Sequence, residues 1–140
     1  MTDPSLNDGI ILAARLLLAA LFLIFGWRKL RDRTGTVSQM MQLGIPVPPL
    51  AAAVSTFMEL PVAFAVAVGA FARPAALAMA LYTVGTAFFG HRYWRVAAAD
   101  RVESMDGFYK DLSIVGGFLL LYVSGAGRYS IDALCGIAAP

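Results

Sequence analysis

Long apolar stretches alternate with short polar ones along the chain, and this alternation predicts helices that cross a membrane. The first stretch, residues 9–27, reads GIILAARLLLAALFLIFGW, and only Arg15 interrupts it. Three more stretches follow at residues 49–70, 74–90 and 108–124. Each is compatible with crossing a hydrocarbon layer of about 30 Å at about 1.5 Å per residue. The pattern therefore predicts an all-α fold, an integral membrane four-helix bundle.

The polar connections between these stretches are too short to hold a further domain. The connection RDRTGTVSQMMQLGIPVPP precedes the second stretch. Four of its apolar residues would share one side of a short interfacial helix, which Gly44 ends: Val37, Met40, Met41 and Leu43. The connection HRYWRVAAADRVESMDG carries charges of both signs and suits a second surface helix. Residues 1–140 are therefore predicted to form a single four-helix domain.

The composition of the chain agrees with a membrane protein. Of the 140 residues, 59% are hydrophobic and 14% are charged, whereas an ordinary soluble domain carries about 25% charged residues. The basic cluster of residues 28–33 follows the first apolar stretch, although a signal peptide carries its basic residues in front. The first stretch is therefore predicted to be a retained helix.

Lysine and arginine are unevenly distributed between the two sides of the predicted bundle. The two long connections hold Arg28, Lys29, Arg31, Arg33, Arg92, Arg95 and Arg101, whereas the opposite side has essentially Arg73 and Arg128. Because positively charged loops stay on the cytoplasmic side, both termini are predicted to lie outside the cytoplasm. These loops can meet anionic lipid headgroups, and nothing in the sequence indicates nucleic acid as a partner.

Thiol and metal chemistry have little support in the sequence. Cys135 is the single cysteine, so this chain cannot run a dithiol cycle by itself. It is either an ordinary small residue or a mixed-disulfide donor to a partner. His91 is the single histidine and lacks companions at ligand spacing. No haem, flavin, iron–sulfur or metal motif is visible.

Arg15 and Glu59 are ionisable residues inside predicted spans, where a charge costs about 3 kcal/mol on insertion scales. Small or polar residues accompany each of them at helical spacing: Ala19, Phe22, Gly26 and Lys29 in the first span, and Ala51, Ser55 and Ala63 in the second. These two faces could pack together and bring Arg15 towards Glu59. Either the two residues form an ion pair that orders the bundle, or they belong to a substrate, quinone or proton site. Pro61 breaks the helix beside Glu59, and broken turns often line cavities.

A second polar cluster is predicted at the cytoplasmic ends of the helices. Lys29 ends the first span, His91 and Trp94 follow the third, and Lys110 begins the fourth. Tyr93 and Trp94 are typical of an interfacial aromatic belt, beside which lysines extend to the headgroups. Alternatively, His91 and Lys110 offer hydrogen-bond donors and a proton carrier to a quinone carbonyl.

The chain ends with the compact segment GAGRYSIDAL, which follows the fourth span. Gly125 and Gly127 are predicted to stop that helix, since glycine readily adopts the left-handed cap conformation. Arg128 lies at the outer interface. Asp132 either pairs with Arg128 or caps a short terminal helix that starts at Ser130.

This ending resembles the pattern G-x-G-[KR]-x-S-[LI]-D of DoxX family membrane proteins. Other segments resemble the family in the same order: ARLLLAALFLIFGWRKL, QLGIPVP, FARPAAL, HRYW and FYKDLSIVGGFLLL. The subgroup with His-x-x-Trp after the third helix is the most similar. The resemblance covers nearly the whole chain and implies a four-helix protein of the bacterial inner membrane. Many relatives have a histidine where this chain has Phe25, so no role of that histidine is carried over.

The resemblance also implies a link to redox metabolism, because relatives include a subunit of a thiosulfate:quinone oxidoreductase and a membrane organiser of oxidative-stress proteins. The leading hypothesis is a redox-associated subunit of a membrane oxidoreductase complex that binds a quinone or similar apolar electron carrier. A protein partner would supply the electrons. The charges of Arg15 and Glu59 would set the electrostatic field inside the protein, and His91 and Lys110 would contact the headgroup of the quinone. The alternative is a non-catalytic scaffold or a small-molecule permease, and a permease of four helices would need a homo-oligomer.

Overall fold

The computed structural model describes residues 3–137, so residues 1–2 and 138–140 of the predicted domain lie outside the described part. Within that part the chain forms seven α-helices and one π-helical turn, and it contains no β-strand. The helices are α1 (Pro4–Arg31), α2 (Arg33–Gln42), α3 (Pro48–Phe57), α4 (Ala63–Val68), α5 (Ala72–Gly90), α6 (Arg101–Ser124) and α7 (Ile131–Leu134), and the π-helical turn is Met58–Val62. The prediction of an all-α fold is confirmed.

The helix α3, the π-helical turn and the helix α4 follow one another without a break and form one rod, Pro48–Val68. Pro61 lies in the wide turn. Proline has no N–H to donate, and its ring displaces the carbonyl one turn earlier, so the helix widens locally. By length and composition, α1 and this rod are apolar enough to cross a membrane. Both features agree with the predicted all-α membrane protein.

The core consists largely of small residues at the helix crossings. The helix α5 packs along α6, while α1 packs against the rod. Ala63 and Ala76 are almost fully buried, and the rings of Phe22 and Phe118 meet at a centroid distance of 5.6 Å. Small side chains let helix backbones approach closely, which is a major source of packing energy inside a membrane.

Two connections shape the end of the bundle at which α1 finishes, which we call the basic-loop end. The helix α2 lies where the short interfacial helix is predicted, and the Asp32 carboxylate caps it by accepting a hydrogen bond from the Gly35 N–H at 2.9 Å. Residues 91–100 form turns, and residues 101–107 belong to α6. The predicted second surface helix is therefore wrong as a separate element, because Gly107 alone does not interrupt a helix.

Candidate functional site

A cavity of about 810 Å³ lies at the basic-loop end, with walls from α1, α2, α3, α5, α6 and the π-helical turn. We call it the polar cavity. Seven polar residues of its wall form the two clusters described below: Lys29, Ser55, Glu59, Tyr82, Thr86, His91 and Asp111. Phe22, Phe25 and Phe89 provide apolar wall beside them. The volume is typical of a site for a small organic ligand, which occupies roughly 300–1,000 Å³.

Glu59 is the centre of the first cluster. The Lys29 ammonium donates to Glu59 Oε1 at 2.6 Å and to Ser55 Oγ at 2.8 Å, and the Tyr82 hydroxyl donates to the same Oε1 at 2.5 Å. Glu59 is only 3% exposed. Its Oε2 atom is buried and accepts no hydrogen bond from the described residues. The cluster therefore holds a carboxylate whose Oε1 atom accepts two hydrogen bonds and whose Oε2 atom accepts none from the described residues.

Close packing of α1 on the π-helical turn brings this cluster together. A Cβ atom at Gly26 would lie 2.9 Å from the Glu59 carbonyl carbon, so only glycine allows this approach. Lys29 follows one turn later and reaches Glu59, while Ser55 precedes Glu59 by one turn on the rod. The wide turn at Met58–Val62 contains Glu59 itself, and such turns are frequent at functional sites.

The second cluster joins the end of α5 to α6. The Thr86 hydroxyl donates to Asp111 Oδ2 at 2.9 Å, and His91 Nε2 lies 3.9 Å from the same oxygen, an ion pair when His91 is protonated. The imidazole packs against Gly107, where a Cβ atom would lie 2.3 Å from Nδ1. The His91 side chain is 41% exposed and that of Asp111 is 16% exposed. This cluster therefore lies between the polar cavity and the surface.

Lys110 and Trp94 lie outside the polar cavity, as does Arg15. Lys110 is exposed on α6, and its neighbour Asp111 lines the cavity instead, because successive helix residues point about 100° apart. Trp94 packs against the Phe108 ring at a centroid distance of 5.9 Å, next to Phe88 and Tyr93. Lys110 therefore does not line the cavity together with His91, and Trp94 belongs to an aromatic cluster.

Arg15 and Glu59 do not pair, which corrects the ion-pair hypothesis. Arg15 is 1% exposed, and its Nη1 and Nη2 atoms donate to the carbonyls of Ala126 and Tyr129, each at 2.6 Å. Glu59 pairs instead with Lys29, which lies about 21 Å further along α1 at about 1.5 Å per residue. The axial register of α1 against the rod thus gives the two buried ionisable residues separate partners.

The terminal segment GAGRYSIDAL explains the surroundings of Arg15. Gly125 ends α6 with φ 76° and ψ −172°, a conformation essentially restricted to glycine. The Ser130 hydroxyl donates to the Gly127 carbonyl at 2.6 Å and accepts from the Ala133 N–H, which caps α7. Ser130 therefore performs the capping that the sequence suggests for Asp132. The segment presents its carbonyls to Arg15 and links α1 to α6.

Asp132 caps a different helix from the one expected. Its carboxylate accepts hydrogen bonds from the backbone N–H groups of Phe71 and Ala72, at 2.7 and 2.8 Å, where α5 begins. Phe71 has φ 48°, an unfavourable value for a bulky residue, and the Asp132 carboxylate fixes it there. Arg128 makes no pair with Asp132 in this arrangement; its guanidinium lies over the Tyr129 ring at 5.9 Å. We call residues 125–134 with Arg15 the terminal clip.

Sequence reasoning missed Tyr82, Thr86 and Asp111 as members of the site. Tyr82 and Thr86 lie one turn apart on α5, a spacing that places both on one face. Asp111 is an acidic residue within the fourth apolar stretch, so the cost of a charge at membrane depth would have singled it out. Lys29, Glu59 and His91 were predicted, and all three line the polar cavity.

Comparison with known proteins gives the family of the chain. The DoxX family model matches residues 10–92. Inner membrane protein YphA of Escherichia coli (strain K12) is 42% identical over 123 residues, which cover 88% of this chain and 88% of that protein. Inner membrane protein YqjF of the same organism is 38% identical over 129 residues, which cover 92% and 94% of the two chains. No solved structure matches. The chain belongs to the DoxX family of membrane proteins, and its relatives support the inner membrane as its location.

Proposed function

We propose that this DoxX family protein is a redox-associated membrane subunit that binds a quinone, or a similarly apolar electron carrier, in the polar cavity. The observation that carries the proposal is the Glu59 carboxylate. Its Oε2 atom is buried and has no hydrogen-bond partner among the described residues, while its Oε1 atom accepts from Lys29 and Tyr82. A buried acceptor without a partner costs about 1–3 kcal/mol. A ligand that donates to Oε2 would remove this cost.

The groups around Glu59 fit a quinone headgroup. The Lys29 ammonium has three donors, and it gives two of them to Ser55 and Glu59. The third remains for a carbonyl oxygen of the ligand. The Oε2 atom of Glu59 has no partner among the described residues, and a small rotation of the side chain would let it accept from a hydroxyl of the reduced headgroup. Phe22 and Phe25 supply apolar and aromatic surface for the ring.

The second cluster gives protons a route to this site. A quinone takes up two protons together with two electrons when it is reduced, and a protein partner would supply the electrons. His91 is partly exposed, and Asp111 beside it lines the cavity. An imidazole both accepts and releases a proton near neutral pH. In this proposal His91 and Asp111 exchange protons between the solvent and the cavity.

The same proposal includes a topology with four spans and both termini outside the cytoplasm. The supporting observation is the position of Arg28, Arg33, Arg92 and Arg101, which flank α2 and the turns that precede α6. Basic loops of this kind favour the cytoplasmic side. The polar cavity would then open towards the cytoplasmic half of the membrane, where His91 meets water.

The test is the quinone content of the purified protein. The wild type, Glu59→Gln and Glu103→Gln are purified identically in mild detergent, and their organic extracts are quantified by mass spectrometry. Glu103 is exposed on the first turn of α6 and serves as the matched control. We expect about one quinone per chain in the wild type and in Glu103→Gln, and at least a tenfold depletion in Glu59→Gln.

Tyr82→Phe provides a second variant that keeps the Glu59 charge and removes one of its donors. We expect partial depletion in this variant because Glu59 loses the Tyr82 hydroxyl. Phospholipid alone in all four preparations would contradict the proposal. The alternative of a non-catalytic scaffold or a permease would then account for the buried charges.

A further inference from the structure

An apolar groove of about 570 Å³ runs between α1 and α6. Ile11, Leu17 and Leu21 contribute to its wall on α1, and Ile114 and Gly117 to its wall on α6. None of the described residues that line it carries a charge. The two helices touch only sparsely along this side, so the groove is open to the surroundings along its length. In a bilayer it faces the hydrocarbon region.

The groove begins where the polar cavity ends. Leu21 lines both of them. On α6, Asp111 lines the polar cavity and Ile114, one turn later, lines the groove. From Leu21 the groove continues along α1 to Ile11, a length of about 15 Å at about 1.5 Å per residue. The polar cavity and the apolar groove therefore adjoin each other along α1 and α6.

We infer that the groove holds the isoprenoid tail of the ligand whose headgroup occupies the polar cavity. The inference rests on the proposed function, and it assigns the tail a defined site on the protein instead of free lipid. A quinone joins a polar ring to a long apolar chain. In the same order, the polar cavity is followed by the apolar groove. The aliphatic walls at Leu17, Leu21 and Ile114 suit a branched hydrocarbon chain.

The place of the groove in the fold favours a ligand tail over a helix from a second copy. The groove adjoins the polar cavity at Leu21, so a chain attached to a headgroup beside Glu59 and Lys29 would leave the cavity along it. A phospholipid acyl chain would also fit by size, and the experiment below separates it from a quinone tail by measuring the phospholipid that each variant retains.

Gly117 offers a way to fill the groove without touching the polar cavity. A Cβ atom at this position would lie 3.1 Å from Leu18 Cδ2, the end of a flexible side chain that can move aside. Gly117→Leu therefore adds a side chain inside the groove. Gly116→Leu is the matched control, because residue 116 has open space around it and does not line the groove.

The experiment measures equilibrium binding of two quinone analogues to the full chain in phosphatidylcholine nanodiscs, expressed per mole fraction in the bilayer. One analogue is the headgroup alone, and the other carries two isoprene units. We expect Gly117→Leu to weaken binding of the tailed analogue at least tenfold and to leave the headgroup analogue unchanged. Gly116→Leu should match the wild type for both. Ala14→Leu narrows the groove from α1 and should act like Gly117→Leu, with Ala13→Leu as its control outside the groove.

Each other result contradicts a specific part of the inference. Unchanged binding of both analogues in Gly117→Leu and Ala14→Leu would place the tail in free lipid. A phospholipid retained by the wild type and lost from these variants, with quinone binding intact, would identify the groove as a lipid site. Loss of a wild-type dimer in the variants would identify it as an interface between copies. Failure of the wild type to bind even the headgroup analogue would overturn the proposed function itself.

Discussion

Arg15 and Glu59 are both buried and charged, but they have different surroundings. Each has one atom without a partner among the described residues, Arg15 Nε and Glu59 Oε2. Arg15 uses both terminal nitrogens on the carbonyls of residues 126 and 129 and lines neither the polar cavity nor the groove. Glu59 lines the polar cavity. At the scale of single residues, Arg15 therefore links α1 to the terminal segment, and Glu59 belongs to the cavity of the proposed ligand.

Asp132→Asn should destabilise the protein without affecting the polar cavity. Asparagine offers one acceptor oxygen to the N–H groups of Phe71 and Ala72, and it lacks the charge that favours a helix N-terminus. The expected loss is about 2 kcal/mol, measured by reversible unfolding in mixed micelles. Asp106→Asn is the control, because Asp106 is exposed on α6. Equal stability of the two variants would contradict the role of Asp132 in the terminal clip.

At the scale of secondary-structure elements, the axial register of α1 against the rod determines which polar residues come into contact. Gly26 allows α1 to touch the π-helical turn, and Lys29 reaches Glu59 as a result. The terminal clip holds the other end of α1 through Arg15. The two contacts lie more than three turns apart on the same helix. The polar cavity and the terminal clip therefore share no residue of α1.

Gly26→Ala and Gly116→Ala should change stability in opposite directions. An alanine Cβ at residue 26 would lie 2.9 Å from the Glu59 carbonyl carbon, and backbone cannot move aside cheaply. We expect a loss of about 1–3 kcal/mol from overpacking. At residue 116 the space is open, so alanine should stabilise the helix by about 0.5–1 kcal/mol. Unfolding in mixed micelles measures both, and a neutral Gly26→Ala variant would show that this contact is not tight.

The sequence was sufficient to predict the helical fold, because long apolar stretches and the residues that end them are local features of a sequence. It was also sufficient to single out Lys29, Glu59 and His91. The pairing of Glu59 with Lys29, and not with Arg15, depends on how α1 slides along the rod, and a hydropathy pattern contains no such information. The sequence singles out Lys110 and not its neighbour Asp111, because it does not show the rotation of a helix about its own axis. For Asp132 it suggests only nearby partners, Arg128 or the short terminal helix, because Phe71 and Ala72 are about sixty residues away.

The whole molecule has two polar regions at opposite ends of the helices. The polar cavity lies at the basic-loop end, and the terminal clip closes the end where α6 stops and α1 begins. Between them the core is apolar and rich in small residues. This separation of the two polar regions along the helices leaves the basic-loop end as the place of the proposed ligand site.

The proposed topology predicts which residues are reached from outside the cell membrane. Cys135 is exposed beside α7, so a membrane-impermeant maleimide should modify it in intact spheroplasts. Ser38 is exposed on α2, and Ser38→Cys in a Cys135→Ser background should react only after the membrane is opened. The reverse pattern would place the termini in the cytoplasm.

The most direct measurement of ligand binding in the polar cavity is photolabelling in proteoliposomes with a quinone analogue that carries an azide on its ring. The label should map to the cavity-lining residues of α1 and α5, between residues 21–29 and 82–90. Excess unlabelled quinone and Glu59→Gln should suppress it, whereas Glu103→Gln should not. Label spread over exposed apolar residues such as Leu81 and Phe64, and undiminished by the competitor, would contradict a quinone site in the polar cavity.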